Sequence, residues 1–261
     1  MIRPILKSLN SDYSIGVVTY VRRFDTFFKP LVEQLEKYFP DVEKNYVLNG
    51  HYDTPAQEKY LKDAKEFLAG KSTHSVKAYM ENQPLSRCMN QLILNSKAKK
   101  ILIMNDDITV GPLFRPFLEA QIWRYPFFVI NKSWCHFVIS KDIVKKVGWF
   151  EERLPANGHE DGDYALRMGL LSGKSVIPDQ SSPKVYCLGI KNIVADNEDP
   201  GWSKYSATVA GKYATANDEF FYKKWEISKQ PLPQSVSVAN EIWCRIRPGM
   251  ETPNFYPEVT F

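Results

Sequence analysis

KKILIMNDD, residues 99 to 107, runs four apolar side chains together, Ile101 to Met104, and then stops on Asn105, Asp106 and Asp107. A short unbroken apolar run is how a strand buried on both faces reads, and such strands belong to parallel sheets with helices on either side. The three polar residues begin where the strand ends. That place is the C-terminal edge of the sheet, where ligands bind in open α/β folds. Carboxylates there suit Mg2+ or Mn2+, hard ions that take oxygen ligands and leave positions open for substrate phosphates. Asn and Asp also make the ordinary turn after a strand, and NDD by itself fits both readings.

The flanking sequence supports the sheet. SIGVVTY (14 to 20) is a β-branched run that predicts a buried strand. From Arg22 onward Phe24, Phe27, Phe28, Leu31, Leu35 and Phe39 recur at helical spacing, and Pro40 ends that helix. NYVLN (45 to 49) predicts a second strand, followed by a helix over 55 to 69 with Pro55 near its start and Gly70 at its close. SVKAYM (75 to 80) reads as a third strand and 85 to 96 as a third helix. This alternation predicts an α/β fold with a mixed, mostly parallel sheet flanked by helices. FFVI (127 to 130) and CHFVIS (135 to 140) read as two close strands, with a short helix around 141 to 147. After Pro178 the periodicity fades. Residues 190 to 261 predict a loop-rich C-terminal extension with one helix near 217 to 225. The expected division is a core over 1 to 190, with an extension over 191 to 261 packed on it.

Composition limits the function classes. With 44% hydrophobic residues in 261, the chain can bury a full core. The net charge of +4 is spread without long blocks, which excludes a nucleic-acid stripe and allows only mild attraction to anionic ligands or a membrane surface. Cys88, Cys135, Cys187 and Cys244 form no C-x-x-C pair, which argues against a zinc site or a disulfide framework and for a reducing, cytoplasmic compartment. No apolar run approaches the ~20 residues that span a bilayer, and the N-terminus lacks a secretory apolar segment. A soluble protein is expected, with peripheral contact at the inner face of a membrane as its limit.

A second acidic cluster lies in GHEDGDYALRMG (158 to 169). Tyr164, Leu166, Met168 and Leu171 predict a helix, Glu160 or Asp161 could cap it, and Asp163 can pair with Arg167 four residues on. One capping side chain suffices for a helix, whereas three acids beside His159 repel one another. Neighbouring carboxylates raise at least one pKa, which suits a general base that must take a proton from a hydroxyl. Asp161 is the favoured base, with Glu160 beside it, and Asp163 is favoured as a structural pairing partner.

Taken together, these segments resemble the inverting glycosyltransferases of family 2, which adopt the GT-A fold. Val18-Thr19-Tyr20 matches the end of the family's opening strand, and Asn105 to Asp107 match its D-x-D-like metal motif. Gly148-Trp149-Phe150-Glu151-Glu152 is similar to G-x-F-D-E, and Glu160-Asp161-Gly162-Asp163 with Arg167 is similar to E-D-x-D followed by Arg. The likeness covers roughly residues 14 to 190. FFYKKWEI (220 to 227) and the ending ETPNFYPEV look like the Y-x-x-K-W and P-F tail of some bacterial and phage members.

The resemblance implies an enzyme of polysaccharide biosynthesis that moves a sugar, with inversion, from a nucleoside-diphosphate sugar to a hydroxyl of a glycan or lipid-linked glycan. It implies that Thr19, Tyr20, Asn49 and Asp106 line the nucleotide pocket. Arg87 would reach a phosphate or the base edge, although a solvated helix Arg is the plainer reading. Asp107, with Asn105, would hold Mn2+ or Mg2+. Trp149 and Trp202 are candidate stacking platforms for the acceptor, and His159 lies beside the base. Two departures stand out: Cys187 takes the place of a metal-binding His, and Asn105 takes the first position of the D-x-D. Both would suit a degenerate binding module without catalysis. A nucleotidylyltransferase would need a glycine-rich loop after the first strand, and VTYVRRFD has no glycine.

Overall fold

The computed structural model describes residues 13 to 51, 54 to 155, 158 to 172, 184 to 193, 211 to 226 and 249 to 261. Four strands, β1 (Tyr13–Thr19), β2 (Glu43–Leu48), β3 (Ser75–Ala78) and β4 (Lys100–Asn105), lie parallel in the order β3-β2-β1-β4. The helices between them are α1 (Lys29–Tyr38), α2 (Thr54–Ala69) and α3 (Leu85–Asn95). Beyond β4 the sheet continues with β7 (Ser133–Ser140), antiparallel to it, then β6 (Phe127–Ile130) and β8 (Lys184–Val185). The expected mixed, mostly parallel sheet flanked by helices is thus present. A separate pair joins β5 (Ile108–Val110) to β9 (Ile190–Asn192). The remaining helices are α4 (Phe114–Ile122), α5 (Lys141–Val147), α6 (Glu160–Ser172) and α7 (Gly211–Trp225).

Strand alternation gives each face of the sheet its own core. Ile15, Val17, Leu102, Met104 and Val138 cluster with Leu31 and Leu35 of α1 and Phe114 and Leu118 of α4. Ile101, Ile103, Phe137 and Ile139 cluster with Leu92 of α3, Val144 of α5 and Tyr164 of α6. The helix read from Arg22 to Phe39 is one continuous run, but it opens with a 3-10 turn (Val21–Arg23) and a π-helical turn (Phe24–Phe28) before α1 begins. Its chain leaves helical geometry at Phe39, just before Pro40. Ser140 caps α5 by accepting from the Ile143 N–H at 3.3 Å, and Gly148 ends it at φ +92°.

Three features differ from expectation. α4 and the β5–β9 pair were not anticipated, and the helix near 217 to 225 starts earlier, at Gly211. Residues 194 to 210 and 227 to 248, where much of the loop-rich extension and Trp202 fall, lie outside the described residues. Among the described residues no helix is long and apolar enough to cross a membrane.

Candidate functional site

Register places the first group of site residues. Val18 on β1 sits opposite Asn105 on β4, and Met104 sits opposite His136 on β7. Alternation therefore carries the Ile15–Val17 stripe on to Thr19, the Leu102–Met104 stripe on to Asp106, and the Val138 stripe on to His136. Three buried polar residues end one apolar face, with exposures of 1% for Thr19, 3% for Asp106 and 2% for His136.

The 3-10 turn after Tyr20 folds Arg23 back over this edge. Its Nε lies 2.8 Å from Asp106 Oδ1 and its Nη2 lies 2.6 Å from Asp107 Oδ2. The guanidinium also sits 4.9 Å from the ring centre of Phe27 and 5.8 Å from that of Tyr20. Burial opposes its charge, yet Asp106 and then Asp107 outweigh burial and hold it firmly protonated. Burial pushes the Asp106 carboxyl up to about 7, against the pull of Arg23 and the Thr19 hydroxyl. Burial likewise lowers His136 to about 4, opposed by the charge of Asp107. Asp107 is fixed from the other side, where its carbonyl accepts from the Ile193 N–H at 2.8 Å.

Asp106 Oδ2, Asp107 Oδ1 and both ring nitrogens of His136 are buried without a hydrogen-bond partner. Unpartnered oxygen and nitrogen atoms of this kind are what a cation takes up. Among the described residues, however, no three His, Cys, Asp or Glu side chains are grouped closely enough to enclose an ion. The pair therefore suits an ion held by one or two carboxylates and completed by phosphate oxygens, as Mg2+ commonly is. Cys187 does not serve: it is buried in the apolar cluster with Ile108 and Phe114, and burial pushes its thiol up to about 11. Its backbone is clamped by Asn131, whose Oδ1 accepts from the Cys187 N–H at 2.9 Å.

The other proposed nucleotide residues are placed differently. Asn105 is half-buried at the end of β4. Asn49 spends its side chain on the backbone: its Oδ1 accepts from the N–H groups of Gly50 and Gln83, and its Nδ2 donates to the Gln83 carbonyl. Arg87 is half-exposed and donates to Gln83 Oε1 at 3.0 Å. Asn90, one turn along, is fully buried and clamps the backbone of Phe150 through both ends of its amide.

The second acidic group forms at the start of α6. Neither acid caps the helix as expected; the His159 carbonyl accepts the first helical bond, from the Asp163 N–H at 2.8 Å. Glu160 Oε2 accepts from the Gly158 N–H at 2.6 Å and Asp161 Oδ1 from the Gly162 N–H at 2.7 Å. Both carboxylates are half-buried in the first turn, where the helix dipole favours them. Burial first and the Asp161 charge second push Glu160 up, to about 7. His159, at φ +68°, stacks on Phe221 at 4.4 Å and pairs with Asp218 at 2.6 Å, which ties this turn to α7.

Asp163 and Glu151 have gone to structure. Asp163 pairs with Arg167 as predicted, at 2.8 Å, and also accepts from Trp225 Nε1 at 3.0 Å. Lys224 of α7 lies fully buried between Asp163 Oδ1 at 2.6 Å and Glu151 Oε2 at 2.9 Å. Trp149 requires a correction. It is 5% exposed, its Nε1 donates to Asn254, and its ring meets those of Tyr256 and Phe261, so it anchors the C-terminal residues and offers no open face to a sugar. Sequence reasoning did not single out Arg23 or His136. For His136 the signal is its alternation with Val138, which becomes readable only once β7 is set against β4.

With this strand order and an acidic pair at the sheet edge, the architecture is the GT-A fold of glycosyltransferases. It superposes on glucosyl-3-phosphoglycerate synthase from Mycobacterium tuberculosis, solved with Mn2+, UDP and glucosyl-3-phosphoglycerate, with a TM-score of 0.50 at 8% identity. That match covers 83% of this chain and 86% of the other. S. aureus TarS residues 1–349 with UDP-GlcNAc gives a TM-score of 0.48 at 13% identity, covering 86% and 76%. GalNAc-T7 with UDP, GalNAc and Mn2+ gives 0.47 at 12%, covering 88% and 54%. In another match to TarS 1–349 the chain spans about half of the solved chain, 54%. No family model and no curated protein matches the sequence. At these identities the likeness is one of fold.

Proposed function

We propose that the protein is an inverting glycosyltransferase that moves a sugar from a nucleoside-diphosphate sugar to a hydroxyl acceptor. The observation that supports it most directly is the pair of buried Asp106 and half-buried Asp107, with Thr19 and Arg23 against it, at the C-terminal edge of a GT-A sheet. Thr19, Tyr20 and Asp106 would bind the nucleoside, and the half-exposed Arg87 is a cation within reach of solvent for the donor. Asp107, with Asn105 beside it, would hold the divalent ion. Mn2+ or Mg2+ bound there would supply Lewis-acid stabilisation of the departing diphosphate. Asp161 takes the proton of the acceptor hydroxyl as that oxygen attacks the anomeric carbon from the face opposite the diphosphate. A single displacement through an oxocarbenium-like state inverts the centre, and the diphosphate leaves without a separate general acid. Glu160 and the tethered His159 would shape the acceptor side. The acceptor class that suits this reading is a glycan or lipid-linked glycan handled at the cytoplasmic face of a membrane.

UDP-sugars with Mn2+ are the first donors to try, because the M. tuberculosis enzyme was solved with UDP and Mn2+. The test is a screen of nucleotide sugars for donor hydrolysis and transfer, repeated on Asp161→Asn. Near-complete loss of transfer with nucleotide binding retained is expected; activity surviving within a few-fold would refute the base. A second reading, a nucleotide-binding module without catalysis, is favoured by Cys187 standing apolar in the core. Tight nucleotide binding with no turnover of any donor would select it.

A further inference from the structure

Arg23 is the residue the proposed chemistry does not yet use. A guanidinium fork spans Asp106 and Asp107 at 2.8 and 2.6 Å, and it lies over the rings of Phe27 and Tyr20. It thus occupies the inner oxygens of both carboxylates, and Asp107 Oδ1 and Asp106 Oδ2 are left without a hydrogen bond. A second cation brought to those outer oxygens would sit a few ångströms from a buried positive charge, in a site where repulsion is weakly screened. A diphosphate arriving with that cation changes the balance. Its oxygens accept from a guanidinium as well as carboxylates do, in the same two-pronged geometry.

We propose that Arg23 is a resident counter-cation of the acidic pair that makes divalent-ion binding conditional on the diphosphate. Without nucleotide, Arg23 neutralises Asp106 and Asp107 and keeps a metal ion out. With nucleotide, the phosphates take over one side of the guanidinium and the ion enters at Asp107 opposite it. The backbone is suited to such a shift, since Arg23 closes a 3-10 turn that runs directly into a π-helical turn, two geometries that mark sites of local adjustment. The nucleotide half of this proposal rests on the transferase reading; the exclusion of the metal by Arg23 does not.

The experiment is a titration with Mn2+ followed by its electron paramagnetic resonance signal, with and without saturating UDP, on the wild type, Arg23→Met and Arg23→Lys. The wild type should bind Mn2+ about tenfold or more tighter with UDP than without. Arg23→Met, which keeps the stem and loses the charge, should bind Mn2+ without UDP about tenfold or more tighter than the wild type. Its gain from UDP should shrink to within a few-fold. Arg23→Lys keeps the charge, should fold as the wild type does, and should still exclude the ion. Thermal melts confirm that each variant is folded, and added Mn2+ should raise the melting temperature of Arg23→Met alone. Equal Mn2+ affinity in the wild type and Arg23→Met without nucleotide overturns the proposal, as does the absence of Mn2+ binding in every combination. If UDP fails to bind while Arg23→Met still gains Mn2+ affinity, the proposal stands in its metal half and the transferase reading falls.

Discussion

Replacing Lys224 by Met tests whether the C-terminal helix is tied to the site by buried charge. Lys224 has no exposed side-chain surface, and its Nζ meets Glu151 Oε2 at 2.9 Å, Asp163 Oδ1 at 2.6 Å and Thr252 Oγ1 at 2.5 Å. Met preserves the length and removes the charge, so two carboxylates lose a partner inside the protein. Breaking a buried ion pair in this way costs about 3–5 kcal/mol. Glu151 keeps Arg153 at 2.8 Å and Asp163 keeps Arg167 at 2.8 Å, which places the loss at the lower end. A second route gives a similar size. Burial pushes the Glu151 carboxyl up, but hydrogen bonds from Arg153 and then the charge of Lys224 outweigh it and bring it from 4.5 to about 2. At about 1.4 kcal/mol per pH unit, that interval is on the order of 3 kcal/mol for all its partners together. The expected loss is therefore about 3 kcal/mol, or about 6–12 °C in Tm for a chain of this size. Urea unfolding followed by tryptophan fluorescence measures it. The folded pKa is depressed, so the stabilisation is present above the unfolded value of 4.5 and is lost as pH falls through about 2. The gap between wild type and variant should narrow in that window. A loss below about 1 kcal/mol near neutral pH, or a gap that does not narrow in acid, would refute the reasoning.

Gly50→Ala should cost about 3 kcal/mol or more, read by thermal melting, because a Cβ there would lie 1.9 Å from the Glu81 carbonyl oxygen. His136→Leu should gain about 1–2 kcal/mol by removing two buried, unpartnered ring nitrogens. The same variant should turn over donor at least about tenfold more slowly, and a variant that melts lower yet stays fully active contradicts the placement of His136 in the site. Glu160, raised to about 7 in the folded state, contributes stability that is present below its ordinary value of 4.5 and lost as pH rises through about 7. Asp106, also raised to about 7, adds a dependence of the same sign, so Glu160→Gln should narrow the separation between melts at mildly acidic and mildly alkaline pH without closing it, and an unchanged separation would contradict the Glu160 share.

Much of the fold was legible because its boundaries are marked by residue types with one physical effect. Pro40 stopped the first helix, Gly70 followed the last residue of α2, and the apolar run of KKILIM ended where β4 meets Asn105. α4 escaped because Phe114-Arg115-Pro116 reads as a break, whereas a Pro in a first helical turn removes an N–H that has no partner anyway. β5 and β9 escaped because three residues carry no period, and their pairing joins segments from distant parts of the chain. In the candidate site, NDD was singled out by its position at the end of a strand. Arg23 was not, because a single Arg in an amphipathic run looks like a solvated face until the turn folds it over the sheet edge. Trp149 was misjudged for the opposite reason: its partners Asn254, Tyr256 and Phe261 come from the far end of the chain.

The likeness to transferases therefore mixes two kinds of residue. Glu151, Asp163 and Arg167 belong to a buried ionic network with Lys224 and Trp225, so folding alone requires them. Asp161 lies two positions from Asp163 on the same helix, and its carboxylate accepts from the Gly162 N–H and lends charge to Glu160. Its gain from the helix dipole, about 0.3–1 kcal/mol, is offset by repulsion from Glu160. Asp161→Asn should accordingly leave stability within about 1 kcal/mol of the wild type while transfer disappears. Asp163→Asn should cost about 3 kcal/mol, because it leaves Arg167 and Lys224 short of a buried counter-charge. Chemical denaturation and a transfer assay on the pair separate a scaffold acid from a working one. Equal destabilisation by both substitutions would mean that the whole acidic turn serves the fold, and the case for a base at Asp161 would then lose its physical ground.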